Sequence, residues 1–137
     1  MIEIKNIYKK FGKLEVLNDV NLTFKKGECI ALIGPNGCGK TTLIKSILGM
    51  VIPTQGDILF DQKSILKKYR YREQIGYMPQ IGRYPDYMKV GQIIEMIKKI
   101  RNSESDLDED LIKAFELEKI FDKQMRTLSG GTTQKVS

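Results

Sequence analysis

The sequence contains no histidine and only two cysteines in 137 residues. Cys29 and Cys38 stand nine apart, match no metal-ligand spacing and lack an imidazole co-ligand, so neither a structural zinc nor a disulfide framework is expected. Long apolar runs are missing as well. The longest, Cys29 to Gly34 and Ile47 to Ile52, reach about six residues, against the roughly 20 that a membrane-spanning helix requires. The N-terminus, MIEIKNIYKK, alternates charged and apolar residues and has no hydrophobic segment of the signal-peptide kind. The expectation is a cytoplasmic chain that does not cross the membrane. With 29% charged residues, 41% hydrophobic residues, 12 glycines and 4 prolines, collagen-like, disordered and disulfide-scaffold classes are excluded and one globular domain is indicated.

The net charge of +6 is unevenly distributed. Residues 1–75 hold 13 Lys/Arg against 7 Asp/Glu, whereas residues 76–137 hold 10 of each. The basic excess suits an anionic ligand or solubility. Its densest piece is Lys67-Lys68-Tyr69-Arg70-Tyr71-Arg72, where aromatics interleave with cations as in a single-strand nucleic-acid platform. A solvated charged face is the plainer account, and no nucleic-acid partner is expected.

Ile2, Ile4 and Ile7, then Val20, Leu22 and Phe24, give two strands with one apolar face each. Phe11-Gly12 falls in the turn region between them. After the Lys26-Gly27 turn, Cys29-Ile30-Ala31-Leu32-Ile33 is apolar on both faces, as a buried strand of a parallel sheet would be. A helix follows over Leu43, Ile44, Ile47 and Leu48, ending at Gly49 as its C′ residue. A turn at Gly56 leads to a strand over 57–60, and 75–78 is a further strand candidate. From Val90 the period becomes helical through Ile93, Ile94, Ile97 and Ile100, with a second helix around Leu107, Leu111, Ile112 and Phe115, capped by Asp106 or Asp108.

The stretch Gly34-Pro35-Asn36-Gly37-Cys38-Gly39-Lys40-Thr41-Thr42 fits G-x-x-x-x-G-K-[ST] between a strand and a helix. Its glycines let successive backbone N–H groups converge on an anion, and the helix starting near Gly39 adds its positive end. Polyphosphate is the matching guest. Lys40 would reach the β- and γ-phosphates, Thr41 would place its hydroxyl on Mg²⁺ and Thr42 would donate to the α-phosphate. The plainer alternative is a glycine-rich turn with no ligand. The spacing is not G-x-G-x-x-G, which disfavours a dinucleotide site.

Leu128-Ser129-Gly130-Gly131 lies 88 residues after Lys40 and by itself reads as a helix start capped by Ser129. Together the two motifs resemble the ATP-binding cassette (ABC) family, and the resemblance covers the entire chain. It implies an α/β P-loop NTPase core with an antiparallel β subdomain and a helical subdomain, residues 1–85 forming the β and P-loop core, 86–128 the helical part and 128–137 the signature. It also implies that Phe11 stacks on adenine, that Gly34 to Thr42 is the Walker A loop and that Gln80 in YMPQ reaches Mg²⁺ and the attacking water. Ser129, Gly130 and Gly131 would then cover ATP held by the P-loop of a second, head-to-tail cassette. Thr132 departs from the commonest signature, which carries Gln there. Each residue has a local alternative: Phe11 as a half-buried hairpin side chain, Gln80 as an exposed loop residue, and Met78, Tyr84, Tyr87 and Met88 as packing instead of a docking groove.

The family continues past its signature with an apolar strand, an Asp for Mg²⁺, a catalytic Glu and a switch His. This chain shows none of them, and Ile58-Leu59-Phe60-Asp61 is its sole approach to the strand-then-Asp element. It therefore reads as the first three-fifths of a cassette, truncated before the Walker B strand, binding ATP and Mg²⁺ but inactive alone. The resemblance further implies a transmembrane permease partner and a place on the inner face of the membrane, most nearly among single-cassette ATPases of copper-processing and efflux systems. A soluble ABC ATPase acting on ribosomes or DNA, and a non-catalytic nucleotide-binding fragment, are the alternatives.

Overall fold

The computed structural model describes residues 1–80, 82–101 and 109–136. They form two compact units, Met1–Ile75 and Gly76–Ser137.

In the first unit, β1 (Ile2–Phe11) and β2 (Leu14–Phe24) form an antiparallel hairpin. β3 (Gln55–Phe60) pairs with the other edge of β1, and the two-residue β4 (Lys63–Ser64) with β3, giving the order β2-β1-β3-β4. Strict alternation would send Ile4 and Ile7, three apart, to opposite faces. Both are nevertheless buried, at 2% and 0% exposure, because the β1/β2 register shifts between them. Asn6 (φ 48°) and Asp19 (φ 47°) take up the left-handed conformation that each shift needs, one Asn and Asp tolerate better than other non-glycine residues. Their side chains fasten the bulge. Asn6 Nδ2 donates to Asp19 Oδ1 at 2.9 Å, Asn21 Nδ2 donates to the same oxygen at 3.0 Å, and the Asn6 N–H donates to Asn21 Oδ1 at 2.8 Å. The bond from Asn6, followed by that from Asn21, holds the Asp19 carboxyl below its ordinary range.

Helix α1 (Lys40–Ile47) sets Leu43 and Ser46 against this sheet. Leu43 joins Ile4, Ile7, Leu17, Ile58 and Ile65 in one core, each such side chain contributing about 1.5–3 kcal/mol by leaving water. Gly49 (φ 66°) is indeed the C′ residue. The Gly49 N–H donates to Ser46 O and that of Met50 to Lys45 O, the paired bonds of a Schellman end. Two further carbonyls there are met from afar, since Tyr71 Oη donates to Ile47 O at 3.1 Å and Arg72 Nη2 to Gly49 O at 3.0 Å.

Three expectations need correction. Residues 28–36 contain no strand, and Ile30, Leu32 and Ile33 are 48%, 41% and 90% exposed. A parallel strand takes its hydrogen bonds from neighbours, and among the described residues no strand pairs with this segment. Residues 75–78 are likewise without strand, with Met78 58% exposed. Gly56 is not in a turn before its strand but inside β3, at φ 88°. A side chain there would collide with the carbonyls of Lys5 and Asn6, so the glycine admits the β1 bulge.

The second unit is built on α2 (Val90–Arg101), α3 (Glu109–Ala114) and α4 (Gly130–Val136). Its core comprises Val90, Ile93, Leu117, Met125 and Val136. The start of α2 is sewn to 121–126 by backbone: Val90 N–H to Lys123 O, Gly91 N–H to Phe121 O and Met125 N–H to Met88 O. Lys89 adds an ion pair to Asp122 at 2.8 Å, which lowers the Asp122 pKa. Leu107 and the caps Asp106 and Asp108 lie outside the described residues. Among the described residues no helix is long and apolar enough to cross a membrane.

Candidate functional site

The loop between Ile33 and α1 is where the sequence concentrates its chemistry. Gly37 (φ 83°) and Gly39 (φ 96°) turn the backbone through the left-handed region, which is open to glycine at no steric cost. Gly39 meets a second demand. A Cβ there would lie 2.7 Å from Val16 O and 2.9 Å from Leu17 Cδ2, so glycine lets the helix start seat directly on β2. Gly39 is the N-cap of α1 and supplies no side-chain cap, and the first turn holds no acidic residue. That leaves a helix start suited to an anion.

Lys40 folds back over the loop. Its ammonium donates to Gly34 O and Pro35 O, both at 2.7 Å, and lies 3.6 Å from Cys38 Sγ. The cation is thus held at the loop on weakly basic carbonyls, which an incoming phosphate would displace by carrying full charge. Thr41 is exposed and Thr42 half-buried at the same helix start. No carboxylate lies between Gly34 and Thr42 to oppose an anion. This donor set fits a magnesium polyphosphate: backbone N–H groups and Lys40 for the phosphates, and the Thr41 hydroxyl for the ion.

Phe11 closes β1, paired across the hairpin with Leu14. Its ring is 50% exposed, with the Lys9 ammonium 5.0 Å from its centroid. Val16, two residues beyond that pair, is the residue whose carbonyl touches Gly39. Gln80 is exposed and belongs to the second unit. So do Ser129, Gly130 and Gly131. There the Thr132 N–H donates to Ser129 Oγ at 3.3 Å, the two hydroxyl oxygens are 2.9 Å apart, and the Thr133 N–H reaches Ser129 O at 2.9 Å. Ser129 is therefore the N-cap of α4. Gly130 and Gly131 have no positive φ and, among the described residues, nothing within 4 Å of an added Cβ, so neither turn geometry nor packing against those residues calls for glycine.

Other candidates resolve differently. Tyr84 and Met88 pack on the second unit's core, while Tyr87 and Met78 are exposed at 73% and 58%. Asp61 Oδ1 accepts from the Met1 ammonium at 2.6 Å and stands at the turn between β3 and β4. Two of the six residues of the basic-aromatic run are structural, since Tyr71 and Arg72 close the end of α1 and Tyr71 packs at 5.9 Å from Phe60. Sequence reasoning missed that clamp. Its signal was Gly49, whose added Cβ would lie 2.6 Å from both Tyr71 Oη and Arg72 Nη2.

Comparison with known proteins bears on the whole arrangement. The family model described as "ABC transporter" matches residues 17–137. The zinc import ATP-binding protein ZnuC of Rickettsia conorii is 40% identical over 139 residues, covering 99% of this chain and 54% of the relative. The sulfate/thiosulfate import ATP-binding protein CysA of Pectobacterium atrosepticum is 34% identical over 144 residues, with coverage of 99% and 44%. These two are import subunits, unlike the copper-processing and efflux type that the sequence texture resembles. Among solved structures, an ATP-binding subunit of an ABC transporter superposes with a TM-score of 0.87 at 28% identity, covering 98% of this chain and 58% of that one. The chain thus spans about half the length of these relatives, and its α/β fold is that of a P-loop cassette with an antiparallel β part and a helical part. Because the family match takes in the phosphate loop, the Ser-Gly-Gly helix start and everything between them, the chain belongs to the ABC transporter family.

Proposed function

We propose that the chain is the ATP-gripping part of a transporter's ATPase subunit, holding Mg-ATP on Gly34 to Thr42. The observation that carries this is the uncapped start of α1 with the Lys40 ammonium held in the loop by two carbonyls. Lys40 would exchange those carbonyls for β- and γ-phosphate oxygens, and Phe11, exposed at the hairpin end, would stack on adenine. Base stacking of this kind contributes about 1–3 kcal/mol. Thr41, with Gln80, would hold the magnesium ion, which neutralises phosphate charge when bound.

Ser129, Gly130 and Gly131 would serve a nucleotide held by a second cassette. The support is that nothing among the described residues requires glycine at 130 and 131, which leaves an open approach there. A transmembrane permease, a peripheral position on the cytoplasmic face and hydrolysis by the complete subunit follow from the same family reading. The relatives' names, zinc and sulfate/thiosulfate import ATP-binding proteins, favour import over export.

The test is affinity for fluorescent ATP with and without Mg²⁺. Lys40→Ala removes a charge-assisted contact of about 1.5–3 kcal/mol, so binding is expected to weaken at least tenfold, while Thr41→Ala removes the Mg²⁺-dependent increment. Equal affinity in wild type and Lys40→Ala overturns the assignment.

A further inference from the structure

Of the three lysines on β1, Lys5 pairs with Glu3 and Lys10 with Glu15, each at 2.9 Å. Among the described residues Lys9 has no carboxylate within ion-pair distance. Its ammonium donates instead to Ile52 O at 2.7 Å and lies 5.0 Å from the centroid of the Phe11 ring. Two apart on one strand, these side chains share a side of it. The carbonyl that anchors Lys9 is itself held. The Thr54 N–H donates to Tyr8 O at 2.7 Å, the Lys10 N–H donates to Thr54 Oγ1 at 3.3 Å, and Gln55 pairs with Tyr8 at the start of β3. Residues 52–54 are thereby stitched to 8–10, and Lys9 reaches across to a fixed point.

Holding a lysine in one rotamer costs entropy. Here the bond to Ile52 O fixes the side chain in the free protein, so a ligand that uses the arrangement need not order it. A cation over an aromatic ring is attracted by the negative charge of its face, and the attraction grows as water is excluded. A base stacking on the face that the ammonium leaves open would remove water from the ring. The pair is then stronger with the base bound than without it, which is the condition for a contact in the free protein to raise affinity.

We propose that Lys9 is a positioning residue for the nucleobase: it holds the Phe11 ring from one face so that adenine stacks on the other, and so favours nucleotide over base-free polyphosphate. The proposal rests on the reading of Phe11 as the adenine platform. Two other roles are open to this lysine, and they differ in their consequences. A charge acting from a distance on the phosphates would favour ATP and base-free polyphosphate alike. A simple tie between β1 and Ile52 would need a hydrogen-bond donor but no cation. Cation–π pairing at an exposed ring corresponds to about a two- to fivefold effect, and to more once water is excluded. Its loss should appear with ATP and not with tripolyphosphate.

The test is calorimetric titration of the full 137-residue chain with Mg-ATP and with magnesium tripolyphosphate. Lys9→Met is expected to weaken ATP binding at least about threefold and to leave tripolyphosphate affinity unchanged, which also shows that the variant is folded. Lys9→Arg keeps a cation and should restore wild-type affinity for ATP. Lys9→Gln keeps a donor without the charge and should behave as Lys9→Met. In a Phe11→Leu background Lys9→Met should have no further effect, because no ring remains for the cation to hold. Equal loss of both ligands, full ATP affinity in Lys9→Gln, failure of Lys9→Arg to restore it, or an undiminished effect of Lys9→Met beside Phe11→Leu overturns the proposal. If Phe11→Leu weakens ATP binding and Lys9→Met does not, this proposal falls and the stacking reading stands. If Phe11→Leu leaves ATP affinity unchanged while Lys40→Ala lowers it, the stacking reading falls and this proposal with it, whereas the phosphate site stands.

Discussion

At the scale of single residues, the site is defined by where glycine is needed and where it is not. Gly39 is imposed by β2, because its Cβ would strike Val16 and Leu17. Gly131 is imposed by nothing among the described residues. Replacing glycine by alanine inside a helix gains up to about 1 kcal/mol, so Gly131→Ala is expected to leave the melting temperature unchanged or raised. If the residue faces a second cassette's nucleotide, the same change should weaken ATP-driven pairing with a full-length cassette at least tenfold, measured by analytical ultracentrifugation. Lower stability together with intact pairing would assign Gly131 a packing role instead. Cys38 reports on the other half of the site. Its thiol is exposed in the loop, 3.6 Å from the Lys40 ammonium. At nucleotide near 100 times Kd about 1% of sites stay free. Alkylation of Cys38 followed by mass spectrometry should therefore slow more than tenfold under saturating Mg-ATP, and an unchanged rate would take the thiol out of the phosphate site.

At the scale of elements, β1 carries the most consequence, since β2 and β3 both pair with it and its bulge sets which residues reach the core. Gly56 lies against that bulge at φ 88°. Gly56→Ala combines a left-handed alanine with a clash against two carbonyls, and is expected to cost about 2–4 kcal/mol. Urea unfolding followed by fluorescence checks this, and a loss under about 1 kcal/mol would show that the ribbon yields to admit the methyl group. The elements legible in the sequence are those whose signal is local. Both hairpin strands, α1 with its Gly49 end, α2 and the Ser129 cap announce themselves by period or by cap chemistry. What was not legible depends on partners distant in sequence. Cys29–Ile33 has a strand's composition, yet a strand exists by pairing, and here no described strand takes it. Asn6 and Asp19 look like breaks in an alternating pattern until their cross-strand bonds are seen, and Tyr71 and Arg72 look like a solvated basic run until the carbonyls of Ile47 and Gly49 claim them.

At the scale of the whole molecule, the question is whether a chain proposed to grip ATP would also turn it over. Phosphoryl transfer to water depends on electrostatic stabilisation and on a group that orients the attacking water. Under the proposed reading, Lys40 and Thr41 of the first unit would meet the first need. For the second need the inventory is thin. There is no histidine, and Asp61, the carboxylate that ends an apolar run, is already paired with the Met1 ammonium in the β3–β4 turn. Acid-base and water-orienting groups supply about 10²–10⁴ in rate. A polypeptide of residues 1–137 should therefore bind Mg-ATP yet release phosphate at least about 100-fold more slowly than a full-length relative such as ZnuC. The measurement is phosphate release by the purified chain at saturating Mg-ATP, with Lys40→Ala as the control for contaminating ATPases. A rate within tenfold of the relative that vanishes in Lys40→Ala would mean that a residue of these 137 orients the water, and Gln80 would be the first to test.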